Sequence, residues 1–93
     1  MTVHIVAYLY VTNIDMITAY RSKAGDALAK HGGSVVQVSA VPLQLEGKIE
    51  APTQAVIAAF PDREAALAWY NDPDLEETHA LRTGSGSSNI MLF

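Results

Sequence analysis

Few side chains in this 93-residue sequence could do chemistry, and none falls into a familiar catalytic spacing. There is no Cys, so thiol nucleophiles, disulfides and thiolate metal sites are absent. His4, His31 and His79 include no i, i+4 pair and no His-x-His pair, so no metal ligand set is expected. A serine hydrolase would need a Gly-x-Ser-x-Gly elbow, which the chain lacks. The run "TGSGSS" at residues 83–88 has neither the Lys nor the following helix of a phosphate loop, and it reads as a flexible linker. What remains is a candidate catalytic set, His31, Arg82 and Glu46, and a candidate substrate-binding set, Tyr8, Tyr20, Trp69, Tyr70 and His79.

Each of these residues has a functional and a structural reading. His31 lies at the end of a helical apolar stripe, where it could transfer protons if it borders a cavity, or simply bond a backbone carbonyl. His79 and Arg82 share a helix face with Leu75, and that face could bind a carboxylate or form an ion pair with Glu46 or Asp74. Glu46 precedes Gly47 in a loop, as a general base or a surface anchor. Trp69 and Tyr70 are successive helical residues about 100° apart, so one ring should pack on the sheet while the other borders the helix end.

The elements that must position these groups follow from hydrophobic periodicity. Val3, Ile5, Ala7, Leu9 and Val11 alternate, and the intervening His4, Val6, Tyr8 and Tyr10 are themselves largely apolar, which marks a central strand covered on both faces. Asn13 caps a helix carrying Ile17, Tyr20, Ala24, Ala27, Leu28 and His31 on one stripe, ended by Gly32. Residues 34–41 form a second strand that Pro42 cuts off at an edge or bend, 45–52 a connection, and 54–60 a third strand. Asp62 caps a helix to about Tyr70, Asp72-Pro73 starts another that carries Arg82 near its end, and 89–93 is a short last strand. The order β-α-β-β-α-(α)-β is that of an α+β, ferredoxin-like split βαβ sandwich: a four-stranded antiparallel sheet with helices on one face, in a single domain over 1–93.

That architecture leaves His4, Val6, Tyr8 and Tyr10 facing outward as an apolar patch. The chain is 49% hydrophobic and 17% charged, rich in apolar residues for so small an interior. A second copy should therefore cover the open sheet face, pairing two sheets into a dimeric α/β barrel. The net charge of −4 argues against nucleic acid as a partner. No apolar run approaches the ~20 residues of a membrane span and no signal peptide is evident, so no membrane partner is expected and a cytoplasmic location is the default.

The motifs "KHGG" after the first helix, "LEG" after the second strand, "FP" closing the third, "AxAWY" in the second helix and "LR" in the third occur in one order. From Tyr8 to Phe93 the chain thereby resembles the domain-of-unknown-function family thirteen-thirty, in the dimeric α/β-barrel superfamily. The resemblance implies a ferredoxin-like homodimer and no particular reaction. Wider relatives include cofactor-independent monooxygenases, chlorite dismutase-like haem proteins and muconolactone isomerase-like enzymes, with pockets between sheet and helices; no haem ligand or catalytic set of theirs is matched here. The family's "WY" continues into Ser-Pro, whereas this chain has Asn71-Asp72-Pro73. Its Gly-Ser run is also poor in charge.

Two functions are expected to compete. The first is a cofactor-independent enzyme acting on a small aromatic or oxo-acid metabolite, with Tyr8, Tyr20, His31 and Trp69 lining the pocket and Arg82 orienting an anion. The second is a ligand-sensing or regulatory dimer without catalysis. A purely structural dimer would instead show a filled helix-to-sheet interface.

Overall fold

The computed structural model describes residues 1–93. Its elements are β1 (Val3–Val11), α1 (Ile14–Ala29), β2 (Ser34–Ser39), β3 (Gln54–Phe60), α2 (Arg63–Tyr70), a 3-10 turn (Pro73–Leu75), α3 (Glu76–Gly84) and β4 (Gly86–Leu92). The strands form one antiparallel sheet in the order β2-β3-β1-β4. β1 is central, as its two apolar faces require, and the whole is the α+β ferredoxin-like arrangement.

Side-chain caps fix where the helices begin. The carboxamide of Asn13 accepts from the backbone N–H of Met16 at 3.1 Å, Asp62 from Ala65 at 2.7 Å, and Asp72 from Asp74 at 2.8 Å. At the far end of α1, Gly32 takes φ +75° and the N–H groups of Gly32 and Gly33 donate to the carbonyls of Ala29 and Leu28 at 3.0 and 2.8 Å. Those two bonds close the helix in a Schellman turn that a residue with a β-carbon resists.

The expected linker at 83–88 is not one. Thr83 and Gly84 finish α3, and β4 begins at Gly86 rather than at Asn89. Ser85 between them is buried, donates its hydroxyl to the Arg82 carbonyl at 2.6 Å, and accepts from the N–H groups of Thr12 and Asn13 at 2.8 and 2.9 Å. The glycines serve close approach: a β-carbon on Gly84 would collide with Met16, and one on Gly86, at φ +150°, with the Tyr10 carbonyl. β2 also ends earlier than expected, at Ser39, after a register shift between Val35 and Gln37.

The inward sheet face packs unevenly. Under α2 and α3, Ile5, Ala58, Phe60, Ala66, Trp69 and Leu75 form a continuous core with Ala27 and Leu28. Under the middle of α1 only Ala7, Leu9 and Ile17 are buried together, and the space between helix and sheet is not filled. On the outward face Tyr8 and Met91 remain 43% and 67% exposed. The loop beside that face is pinned by the Tyr10 hydroxyl, which donates to the Glu50 carbonyl at 2.8 Å, and it exposes Val41, Leu43, Leu45 and Ile49.

Candidate functional site

The site grows from the buried face of α3. Three-residue spacing places His79 and Arg82 on one side of the helix, toward Tyr20 of α1 and Trp69 of α2. Arg82 is 3% exposed, and its Nη1 donates to the Tyr20 hydroxyl at 3.3 Å and to His79 Nδ1 at 3.2 Å. The other ring nitrogen of His79, Nε2, lies 2.9 Å from the Trp69 carbonyl. A guanidinium only donates and a carbonyl only accepts, so the imidazole is the neutral Nε2–H tautomer. Burial is the main cause holding the His79 pKa below its ordinary value of 6.5; the Arg82 charge acts in the same direction, against the opposing carbonyl bond from Trp69.

Aromatic faces complete the setting. The Arg82 guanidinium carbon sits 5.5 Å from the ring centres of both Tyr20 and Trp69, and the His79 ring meets Trp69 edge-on at 4.8 Å. No carboxylate pairs with Arg82. Its Nε and the indole Nε1 of Trp69 are buried without a hydrogen-bond partner. A buried cation without a counter-ion is costly, and such groups persist where something else supplies the missing acceptor.

Arg82 and Trp69 stand in the wall between two hollows. One, of about 520 Å³, lies between α2, α3 and the edge strand β4. The other, of about 480 Å³, is the cleft between α1 and the sheet. Its walls are Ile5, Ala7, Leu9, Val56 and Ile90 from the strands and Ile17 and Leu28 from the helix, with Val35 and Val38 of β2 opposite Ala24 and Gly25. A β-carbon on Gly25 would touch nothing within 4 Å, so this side of the helix is open. Away from Arg82, the cleft is lined by Gln54, 7% exposed, whose Oε1 accepts from Arg21 Nη2 at 2.8 Å.

Of the expected site residues, the fold gathers Tyr20, Trp69, His79 and Arg82. Trp69 is the core-facing member of the aromatic pair at 3% exposed, while Tyr70 is 54% exposed at the rim of the outer hollow. Four expectations are corrected. His31 does not line the cleft: it sits in the turn after α1, and its Nε2 lies 2.7 Å from Asp72 Oδ2 rather than on a backbone carbonyl. The same carboxylate binds Lys30 Nζ at 2.7 Å, and these bonds hold its pKa far below the ordinary carboxylate range. Tyr8 projects from the opposite sheet face, since Ile5, Ala7 and Leu9 take the inward positions, and it borders a shallow hollow with Leu43 and Glu46. Glu46 is exposed there, far from the acid–base role assigned to it. Neither Glu46 nor Asp74 pairs with the α3 face; Asp74 goes to Lys30 at 3.2 Å.

Arg21 and Gln54 were not singled out from sequence, and Asp72 was read only as a helix cap, not as the partner of His31 and Lys30. Gln54 carried a readable signal, a polar residue on the inward register of a strand that otherwise presents Val56, Ala58 and Phe60. Arg21 carried none beyond adjacency to Tyr20.

Comparison with known proteins bears on the fold and the family. No curated protein matches the sequence significantly. A crystal structure of a dimeric ferredoxin-like protein of unknown function from Jannaschia is similar with a TM-score of 0.74 at 13% identity, over 100% of this chain and 98% of that one. A protein of unknown function from Rhodopseudomonas palustris is similar at TM-score 0.75 and 20% identity, over 99% of this chain and 80% of that one. SnoaB, a cofactor-independent oxygenase from Streptomyces nogalater, is similar at TM-score 0.72 and 15% identity, over 99% of this chain and 90% of that one. Likeness at such identities shows the shared fold alone. The family model for "Domain of unknown function (DUF1330)" matches residues 2–93, and the chain belongs to that family.

Proposed function

We propose that the protein is a homodimer, paired through its open sheet face, that takes a small aromatic or oxo-acid metabolite into the α1 cleft and acts on it without a cofactor. The observation that carries the ligand reading is Arg82, a buried guanidinium in the wall of an apolar cleft with no carboxylate partner. Donors fixed in a low-dielectric site favour an oxyanion, whether already present on a ligand or developing in a reaction. The likeness to a cofactor-independent oxygenase adds support for turnover. Pairing is supported by the apolar side chains left exposed on and beside the open sheet face, Tyr8, Met91, Leu43 and Leu45. Similar chains from Jannaschia and Thermobifida fusca are described as dimeric.

A second reading, a ligand-binding dimer without catalysis, is favoured by a different observation. No His, Asp, Glu, Ser or Thr lines the cleft, so no side chain there is an evident base or nucleophile. Native mass spectrometry of gently purified protein tests both. A dimer retaining a small molecule is expected, and incubating that molecule in excess with the protein separates the readings: conversion means enzyme, unchanged recovery means binding protein. A monomer with no added mass overturns the proposal.

A further inference from the structure

The polar groups of the cleft share one property that neither the fold nor the proposed function requires. Every one of them, after its internal hydrogen bonds are counted, is left with donors. Arg82 uses Nη1 twice and leaves the Nε–Nη2 edge without a partner. That is the edge of the fork that matches a carboxylate with two parallel bonds. The Tyr20 hydroxyl accepts from Arg82, which frees its own proton. The Trp69 indole N–H is unpartnered, and an indole cannot accept. Arg21 can only donate, so it fixes the orientation of the Gln54 amide with the oxygen toward itself and leaves the NH₂ to the cleft.

The charge distribution agrees. In a chain of net charge −4, two of the three arginines line this one cleft, and none of the ten Asp and Glu residues does. We infer that the cleft is selective for an anion whose polar groups are all hydrogen-bond acceptors, a flat apolar acid held by a carboxylate or enolate oxygen at Arg82, Tyr20 and Trp69. Amides, alcohols and amines of the same shape bind more weakly, because none brings the negative charge that matches Arg82, and the only side-chain acceptors left in the cleft are the second lone pairs of the Tyr20 hydroxyl and the Gln54 carbonyl. The inference rests on the α1 cleft being the ligand site, and it goes further by setting the ligand's charge and hydrogen-bond polarity.

Quenching of the single Trp, at position 69, reads occupancy directly. The probes are 2-naphthoate, its neutral amide 2-naphthamide, and the cation 2-naphthylmethylammonium, titrated into the dimeric protein at fixed ionic strength. Loss of charge-assisted bonds of this kind weakens binding about thirtyfold, so naphthoate should bind at least that much more tightly than the amide, and the cation should not bind. Arg82→Met, which keeps the apolar length, should erase the preference for naphthoate, because the charged probe loses far more affinity than the amide. Gln54→Glu retains the bond to Arg21 and so serves where Arg82→Met fails to fold; by placing a carboxylate in the cleft it should lower the preference for naphthoate over the amide about tenfold. Equal binding of naphthoate and naphthamide, or a preference that survives both substitutions, overturns the inference while leaving the cleft as a ligand site. Binding of none of the three overturns the cleft reading as well.

Discussion

Two clusters in this molecule pair a histidine with a cation, and they differ in burial and in the presence of a carboxylate. At the end of α1, Lys30 and His31 both lie 2.7 Å from the Asp72 carboxylate, at the surface, away from the α1 cleft. On α3, the half-buried His79 and the buried Arg82 lie among aromatic rings with no carboxylate, and Arg82 stands in the wall of two hollows. The first cluster has its charges matched internally and ties the end of α1 to the turn between α2 and α3. The second is unmatched by one negative charge. Where acids and bases balance inside the chain the arrangement is complete as architecture; where buried donors remain, the missing acceptor is expected from a ligand.

Replacing residues in the two clusters should separate these roles. The largest effect is expected at Trp69, which packs on Phe60 at 5.6 Å and is nearly fully buried: Trp69→Ala should cost about 3–5 kcal/mol in denaturant unfolding. A loss below about 1 kcal/mol would remove the wall on which Arg82 rests. Arg82→Met should do the opposite to the free protein. Taking out an unpaired buried charge is expected to raise stability by about 1–2 kcal/mol, whereas a drop of that size would mean Arg82 is satisfied internally after all.

A third difference is in pH. His79 is held neutral in the fold with a pKa below 6.5, so the unfolded chain binds protons that the native state does not. Stability should therefore fall as pH drops below about 6.5, with a slope of at most about 1.4 kcal/mol per pH unit, and His79→Gln should flatten it. Asp72 titrates in the other window. Its pKa is lowered by Lys30 and His31, so the stability it contributes is present above its ordinary value of 3.8 and is lost as pH falls further. The smallest effect is expected from Asp72→Asn, a modest drop in Tm at neutral pH with no change in naphthoate affinity. A change in that affinity would join the two clusters into one site.

The difference between the clusters was only half legible in the sequence. Local chemistry was readable: the caps Asn13, Asp62 and Asp72, the Schellman glycine and the inward alternation of β1 all act within a few residues of themselves. The grouping of Tyr20, Trp69, His79 and Arg82 was also approachable, through one helix stripe and one i, i+3 pair. Partners distant along the chain were not, and His31 meets Asp72 across 41 residues. The Gly-Ser run misled for a related reason, since a glycine needed for contact with Met16 or the Tyr10 carbonyl has the same composition as a glycine in a flexible tether. Tyr8 was legible and misassigned, because strand alternation puts it opposite Ala7 and Leu9.

The claim that Arg82 waits for an external acceptor is tested most directly by following the arginine Nε–H resonances by nuclear magnetic resonance during a titration with 2-naphthoate. The three arginines give three assignable signals, with Arg63 a control outside the cleft because it donates to the Phe93 carbonyl. The Arg82 signal should move downfield and become protected from exchange, the Arg21 signal should shift less, and Arg63 should stay in place. An unmoved Arg82 signal at saturating naphthoate would contradict the account.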